Sequence, residues 1–152
     1  MFTGEVVYIA GPIANDPDYE LKFKAAEKYL RSQGLVTLNP AAIVGPFAKR
    51  FPKRSSDKNI MRACRRLIDG SDILALLPGW FQSKGATAEV AMYTQAFIMN
   101  DKTRSIWIVE LELRTKRSKK AKDAGKYEVD ASHWYLGLEH WEKRSTRLII
   151  TD

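Results

Sequence analysis

The chain has 152 residues, one domain's worth, and a 45% hydrophobic share that supplies a real core and excludes wholesale disorder. No run of 18 apolar residues exists and no basic segment precedes the first apolar stretch, so neither a membrane span nor a signal peptide is expected. A single cysteine, Cys64, with only His133 and His140 as imidazoles, excludes a disulfide framework and a cysteine-built zinc site. The cytosol is therefore the expected compartment, while the net charge of +7 asks for an anionic partner.

Residues 5–10 form a compact β-rich run that stops at Gly11-Pro12 and reads as a first buried strand. Turn chemistry at Asp16-Pro17-Asp18 leads into residues 19–33, whose apolar positions have helical spacing and whose stop is Gly34. Residues 35–38 are a short second strand. Residues 41–57 lack a period and read as a long loop of the kind that serves as a lid or binding loop. A helix is expected over 58–68, a central strand over 73–77, a loop over 78–84 and a second good helix over 85–99. Residues 105–111 read as a fourth strand. Trp134, Leu138 and Trp141 give helical spacing over 132–143, and 148–150 reads as a last short strand.

Two stretches hold the positive charge. Residues 49–66 carry eight Lys/Arg against Asp57 alone, and residues 114–126 carry seven against Asp123 alone, so the rest of the chain is net negative. The alternation of strands and helices predicts an α/β, Rossmann-like fold with a mostly parallel sheet of about five strands and helices on both faces. Its expected parts are an α/β domain over 1–113, a basic linker or loop over 114–126, and a helix and strand over 127–152 that complete the same domain.

Ligands of such folds bind beyond the carboxyl ends of the strands. That rule singles out Gly11-Pro12-Ile13 and the run from Pro78 to Glu89, and it disfavours Asp72 at a strand start. Gly85 opens a helix, so free backbone N–H groups and the positive dipole end face the expected site, with Ser83 and Lys84 just ahead of it. This suits a phosphate or a sugar hydroxyl. Glu89 lies about one turn in, where the dipole is expected to hold a carboxylate ionised, as a nucleophile requires. Singly, each residue also has a plain structural reading: Glu89 as a helix acid, Ser83 as a cap, Gly85 as a tight turn, Trp80 as a core aromatic and Tyr8 as a buried strand tyrosine.

Taken in order, Val7-Tyr8-Ile9-Ala10-Gly11-Pro12, residues 73–77 with Pro78-Gly79-Trp80, and Ser83-Lys84-Gly85-Ala86-Thr87-Ala88-Glu89 resemble the nucleoside 2-deoxyribosyltransferase superfamily. That superfamily also contains 2′-deoxynucleoside 5′-phosphate N-hydrolases and small phage and bacterial proteins, and the last of these are the branch most resembled. The resemblance spans residues 5–110. It implies Glu89 as the nucleophile on C1′, Tyr8 as the residue that orients it, and Gly11, Pro12, Ile13, Trp80, Ser83, Lys84 and Gly85 around the substrate. Transferases of the superfamily carry an acidic residue at the position of Ser83, whereas branches acting on 5′-monophosphates carry serine. The resemblance therefore implies an N-glycosidase acting on (deoxy)nucleoside 5′-monophosphates. Base exchange is an alternative. So is non-catalytic nucleotide binding, as a sensor or sponge such as a phage would use against host defence. Relatives commonly carry an aspartate on the helix before Asp72, where this chain has Ala63 or Cys64, and Cys64 reads as a small helix residue rather than a catalytic thiol. No motif implies a metal or organic cofactor. A homo-oligomer, dimer or higher, is expected; the 132–143 helix with Trp134, Tyr135 and Trp141 reads equally as its contact face or as a plain core helix. Nucleic acid on the 114–126 run is a secondary partner.

Overall fold

In the computed structural model, residues 2–43, 57–100, 106–115 and 127–151 are described. Five strands, β1 (Val6–Ala10), β2 (Val36–Leu38), β3 (Ile73–Leu76), β4 (Trp107–Thr115) and β5 (Tyr127–Leu136), form one sheet in the order β2-β1-β3-β4-β5. All neighbours are parallel except β4 and β5. Helices α1 (Tyr19–Ser32), α2 (Asp57–Asp69), α3 (Lys84–Asn100) and α4 (Leu138–Thr151) cover both faces.

Side-chain alternation sorts the strands onto these faces. Val7, Ile9, Ala75 and Val109 pack against Phe23, Ala26 and Leu30 of α1, an i, i+3, i+7 stripe. Tyr8, Ala10, Leu74, Leu76 and Ile108 turn the other way, toward α2, α3 and Trp141 of α4. Every residue of β3 is buried, as a strand covered on both faces requires. The amino end of the sheet is tied by polar contacts. Asp72 accepts the Val6 N–H through Oδ2 at 2.9 Å, a structural role consistent with its place at a strand start. The Tyr93 hydroxyl donates to the Asp72 carbonyl at 2.8 Å and accepts from the Trp107 N–H at 3.2 Å.

The last third of the chain departs from the expectation. Residues 132–143 are not one helix: Tyr127–Leu136 is an antiparallel strand, and the helix runs over Leu138–Thr151, including 148–150, which had read as a strand. Gly137, at φ +94°, breaks the chain between them. The spacing of Trp134, Leu138 and Trp141 straddles that turn, so it reports no common face. Trp134 packs on the α1 side, whereas Tyr135 and Trp141 pack on the other. The aromatic helical face expected at an oligomer contact therefore does not exist. A bulge places Ser132 beside the Glu110/Leu111 step, its hydroxyl donating to the Glu110 carbonyl at 3.0 Å. β4 also continues to Thr115, so the boundary at 113 falls inside a strand. Residues 44–56 of the expected loop and 116–126 of the basic run lie outside the described residues, and the loop opens with a helical turn from Pro40.

Candidate active site

The strand order reverses at β1, whose chain neighbour β2 lies on one side and β3 on the other. In open α/β sheets this order leaves a crevice at the carboxyl ends of β1 and β3, where ligands bind. Its two walls are the segments after Ala10 and Leu76. The Leu77 N–H donates to the Ala10 carbonyl at 2.9 Å, which draws them together. Gly11 makes the approach possible, because a Cβ there would stand 2.7 Å from Leu77 Cβ. Gly79, at φ +79°, turns the second wall beside Pro12, whose Cγ lies 3.6 Å from where a Cβ would sit. Ile13 stands exposed on the first wall.

Ser83 is extended and caps α3. Its Oγ accepts from the Ala86 N–H at 3.2 Å and its carbonyl accepts from the Thr87 N–H at 2.9 Å. The N–H groups of Lys84 and Gly85 belong to the first turn of α3, which has no intrahelical acceptor for them. Both residues are exposed. The first turn holds no acid to complement the dipole and begins instead with a lysine. A Cβ on Gly85 would meet only Ser83 Oγ, at 3.9 Å, so no packing explains a glycine there.

Behind this rim lies the carboxylate. The Tyr8 hydroxyl donates to Glu89 Oε2, joining β1 to α3. Tyr8 is fully buried and Glu89 is 7% exposed. Burial pushes the Glu89 carboxyl up to about 7, and the Tyr8 hydrogen bond only partly offsets it. The expectation that the dipole holds Glu89 ionised is thus overturned. Glu89 is the sixth residue of α3, beyond the first turn where the dipole acts, and desolvation dominates. Burial, with the adjacent Glu89 charge, raises the Tyr8 hydroxyl far above its ordinary value, so it stays a donor.

Of Ala63 and Cys64 on α2, only Cys64 faces the Tyr8–Glu89 pair. Ala63 is exposed, whereas Cys64 is buried and reaches the Tyr8 hydroxyl, close enough to Glu89 to sense its charge. Burial raises the thiol, which stays protonated. The sequence marks Cys64 as a small helix residue near the position where relatives carry an aspartate. The signal that finds it is its four-residue spacing from Ile60 and Ile68, which places it on the buried stripe of α2. Trp80 sits in the same core cluster as Tyr8, Ala86 and Val90. It is 7% exposed, stacks on Trp141 at 5.4 Å between ring centroids, and faces a groove of about 310 Å³ between α3 and α4.

The sheet order and the switch-point crevice define a doubly wound α/β protein with a Tyr–Glu–Cys cluster behind a helix amino terminus. Residues 5–99 match the family described as a domain of unknown function (DUF4406), and the chain belongs to that family. The match runs from β1 through nearly all of α3 and holds every crevice residue described above. No curated protein sequence matches the chain.

Proposed function

We propose that this protein is an N-glycosidase of (deoxy)nucleoside 5′-monophosphates, acting in the cytosol through Glu89. The observation that carries the reading is the buried Tyr8–Glu89 hydrogen bond at the switch point, behind a helix terminus that offers one cation, Lys84, and N–H groups but no acid. The substrate phosphate would take the Lys84 charge, the Ser83 hydroxyl proton and the free N–H groups of α3. Glu89 in its ionised form attacks C1′. The N-glycosidic bond breaks, its electron pair leaves with the base, and the base takes a proton from water. Water then opens the glycosyl ester, with net retention at C1′. Tyr8 orients the attacking carboxylate and Gly11, Pro12 and Ile13 shape the wall beside the sugar. A homo-oligomer belongs to the same reading, with light scattering as its test.

A second reading, nucleotide binding without cleavage, draws on Cys64. Relatives would place an acid there to help the base leave, and a thiol whose acidity burial weakens gives up its proton poorly. Chromatography of a panel of nucleosides and their 5′-monophosphates, incubated with the protein and with Glu89→Ala, tests both. Free base from a monophosphate, abolished in the variant, supports the glycosidase. Binding with no base released from any member supports the second reading.

A further inference from the structure

A second cavity lies on the same face of the sheet, between β5 and α4, with an open volume of about 740 Å³. His140, Lys143, Arg144 and Arg147 line it at i, i+3, i+4 and i+7, the spacing of one helix face. On α4 the apolar residues Leu138, Trp141 and Leu148 pack into the core cluster, and this basic stripe faces the cavity beside them. Three fixed cations thus stand against one lining carboxylate, Glu110. Lys143 also meets Glu139 at 3.3 Å, but both are well exposed, and such a pair exchanges readily for a phosphate.

The floor of the cavity is set but not closed. Glu110 Oε2 lies 3.9 Å from Arg144 Nη2 and accepts from the Tyr135 hydroxyl at 3.4 Å. Glu110 Oε1 and Arg144 Nε are buried without hydrogen-bond partners, an unusual state for charged groups. The carboxylate holds the guanidinium from beneath, while the exposed part of Arg144 stands with the other cations. On the opposite wall the exposed His133 ring rests on Tyr135 at 4.5 Å, which leaves its outer face for a planar group.

We infer that this cavity binds a phosphorylated small molecule with a planar ring, of the nucleoside monophosphate class, its phosphate on the Lys143–Arg144–Arg147 stripe and its ring on His133. A concave pocket with a carboxylate in its floor suits a small ligand better than a nucleic-acid strand, which prefers an unbroken basic surface. The site is separate from the crevice: the Trp80–Trp141–Tyr135 aromatic contacts stand between them, and none of its lining residues belongs to the Tyr8–Glu89 cluster. The inference therefore stands or falls independently of any cleavage by Glu89.

Tryptophan fluorescence titration with nucleoside 5′-monophosphates, inorganic phosphate and a single-stranded oligonucleotide tests it, because Trp134 lines the cavity. A monophosphate should bind the full-length protein at least tenfold more tightly than inorganic phosphate. Lys143→Gln with Arg147→Gln should weaken it at least tenfold, whereas Lys24→Gln, at an exposed cation of α1 on the other face of the sheet, should leave it unchanged. His133→Ala, an exposed change that keeps the fold, should cut monophosphate affinity but not phosphate affinity. Monophosphate binding indifferent to the stripe and to His133 overturns the inference. So does equal binding of inorganic phosphate, or tighter binding of the oligonucleotide with a steep salt dependence.

Discussion

Glu89 and Glu110 point into the same side of the same sheet, yet their surroundings are opposite. Glu110 has Arg144 at 3.9 Å and keeps 15% of its side chain in solvent. Glu89 is more deeply buried and meets a phenol and a thiol, both neutral, with no cation against it among the described residues. The chain can thus place a cation beside an inward carboxylate, and among the described residues none stands beside Glu89. A buried acid left without a counter-charge costs stability, and such arrangements gather where chemistry is done.

Breaking the contrast at Glu89 has the largest expected effect. Glu89→Gln keeps the shape and removes the nucleophile, so base release from a monophosphate should fall by about 10³-fold or more, read by single-turnover chromatography. The same variant sharpens the contrast in stability. Above its ordinary value of 4.5 the unfolded chain holds Glu89 ionised, while the folded chain keeps the proton to about 7, so stability falls as pH rises between these values. Denaturant unfolding at pH 8 should show Glu89→Gln more stable than the parent by about 3 kcal/mol, with the gain vanishing near pH 4. Glu110→Gln should go the other way, losing about 1 kcal/mol at pH 8 as its contact with Arg144 weakens, and a gain there would end the comparison.

Tyr8→Phe tests the one group that favours ionised Glu89. Its removal should move the rising limb of the pH–rate profile from about 7 to higher pH, because the Tyr8 hydrogen bond lowers the carboxyl and burial remains. A profile that falls as pH rises would mean that Glu89 acts as an acid. The smallest change is at the rim. Gly85→Ala should stabilise the free protein by about 0.5–1 kcal/mol through helix propensity, yet weaken monophosphate binding by filling the space beside Ser83, both read by thermal melts with and without ligand.

The parallel half of the fold was legible because its signals are local and periodic. Val7 to Ala10, Ile73 to Leu76 and the 19–33 helix each show their period within a few residues, and Gly11 and Gly34 mark their ends. The carboxyl third was not legible, because Trp134, Leu138 and Trp141 imitate a helix across the Gly137 turn. The alternation that betrays β5 is carried by Val129 and Ala131 among charged neighbours. The Tyr8–Glu89 contact followed from a family resemblance rather than from spacing, since the two residues are 81 positions apart. The perturbed acidity of Glu89 was beyond the sequence, because it arises from how deeply three different elements enclose one side chain.

The Tyr93 hydroxyl, which bridges the Asp72 carbonyl and the Trp107 N–H, lies one helical turn beyond Glu89 and at the opposite end of the sheet from the crevice. It gives α3 a fixed pivot away from the reacting end. The loop before Ser83 can accordingly exchange residues, lengthen or change charge without moving the carboxylate it flanks. A scaffold pinned this way separates inheritance of the reactive group from inheritance of selectivity. Diversification of what the pocket accepts then needs no redesign of what holds it in register.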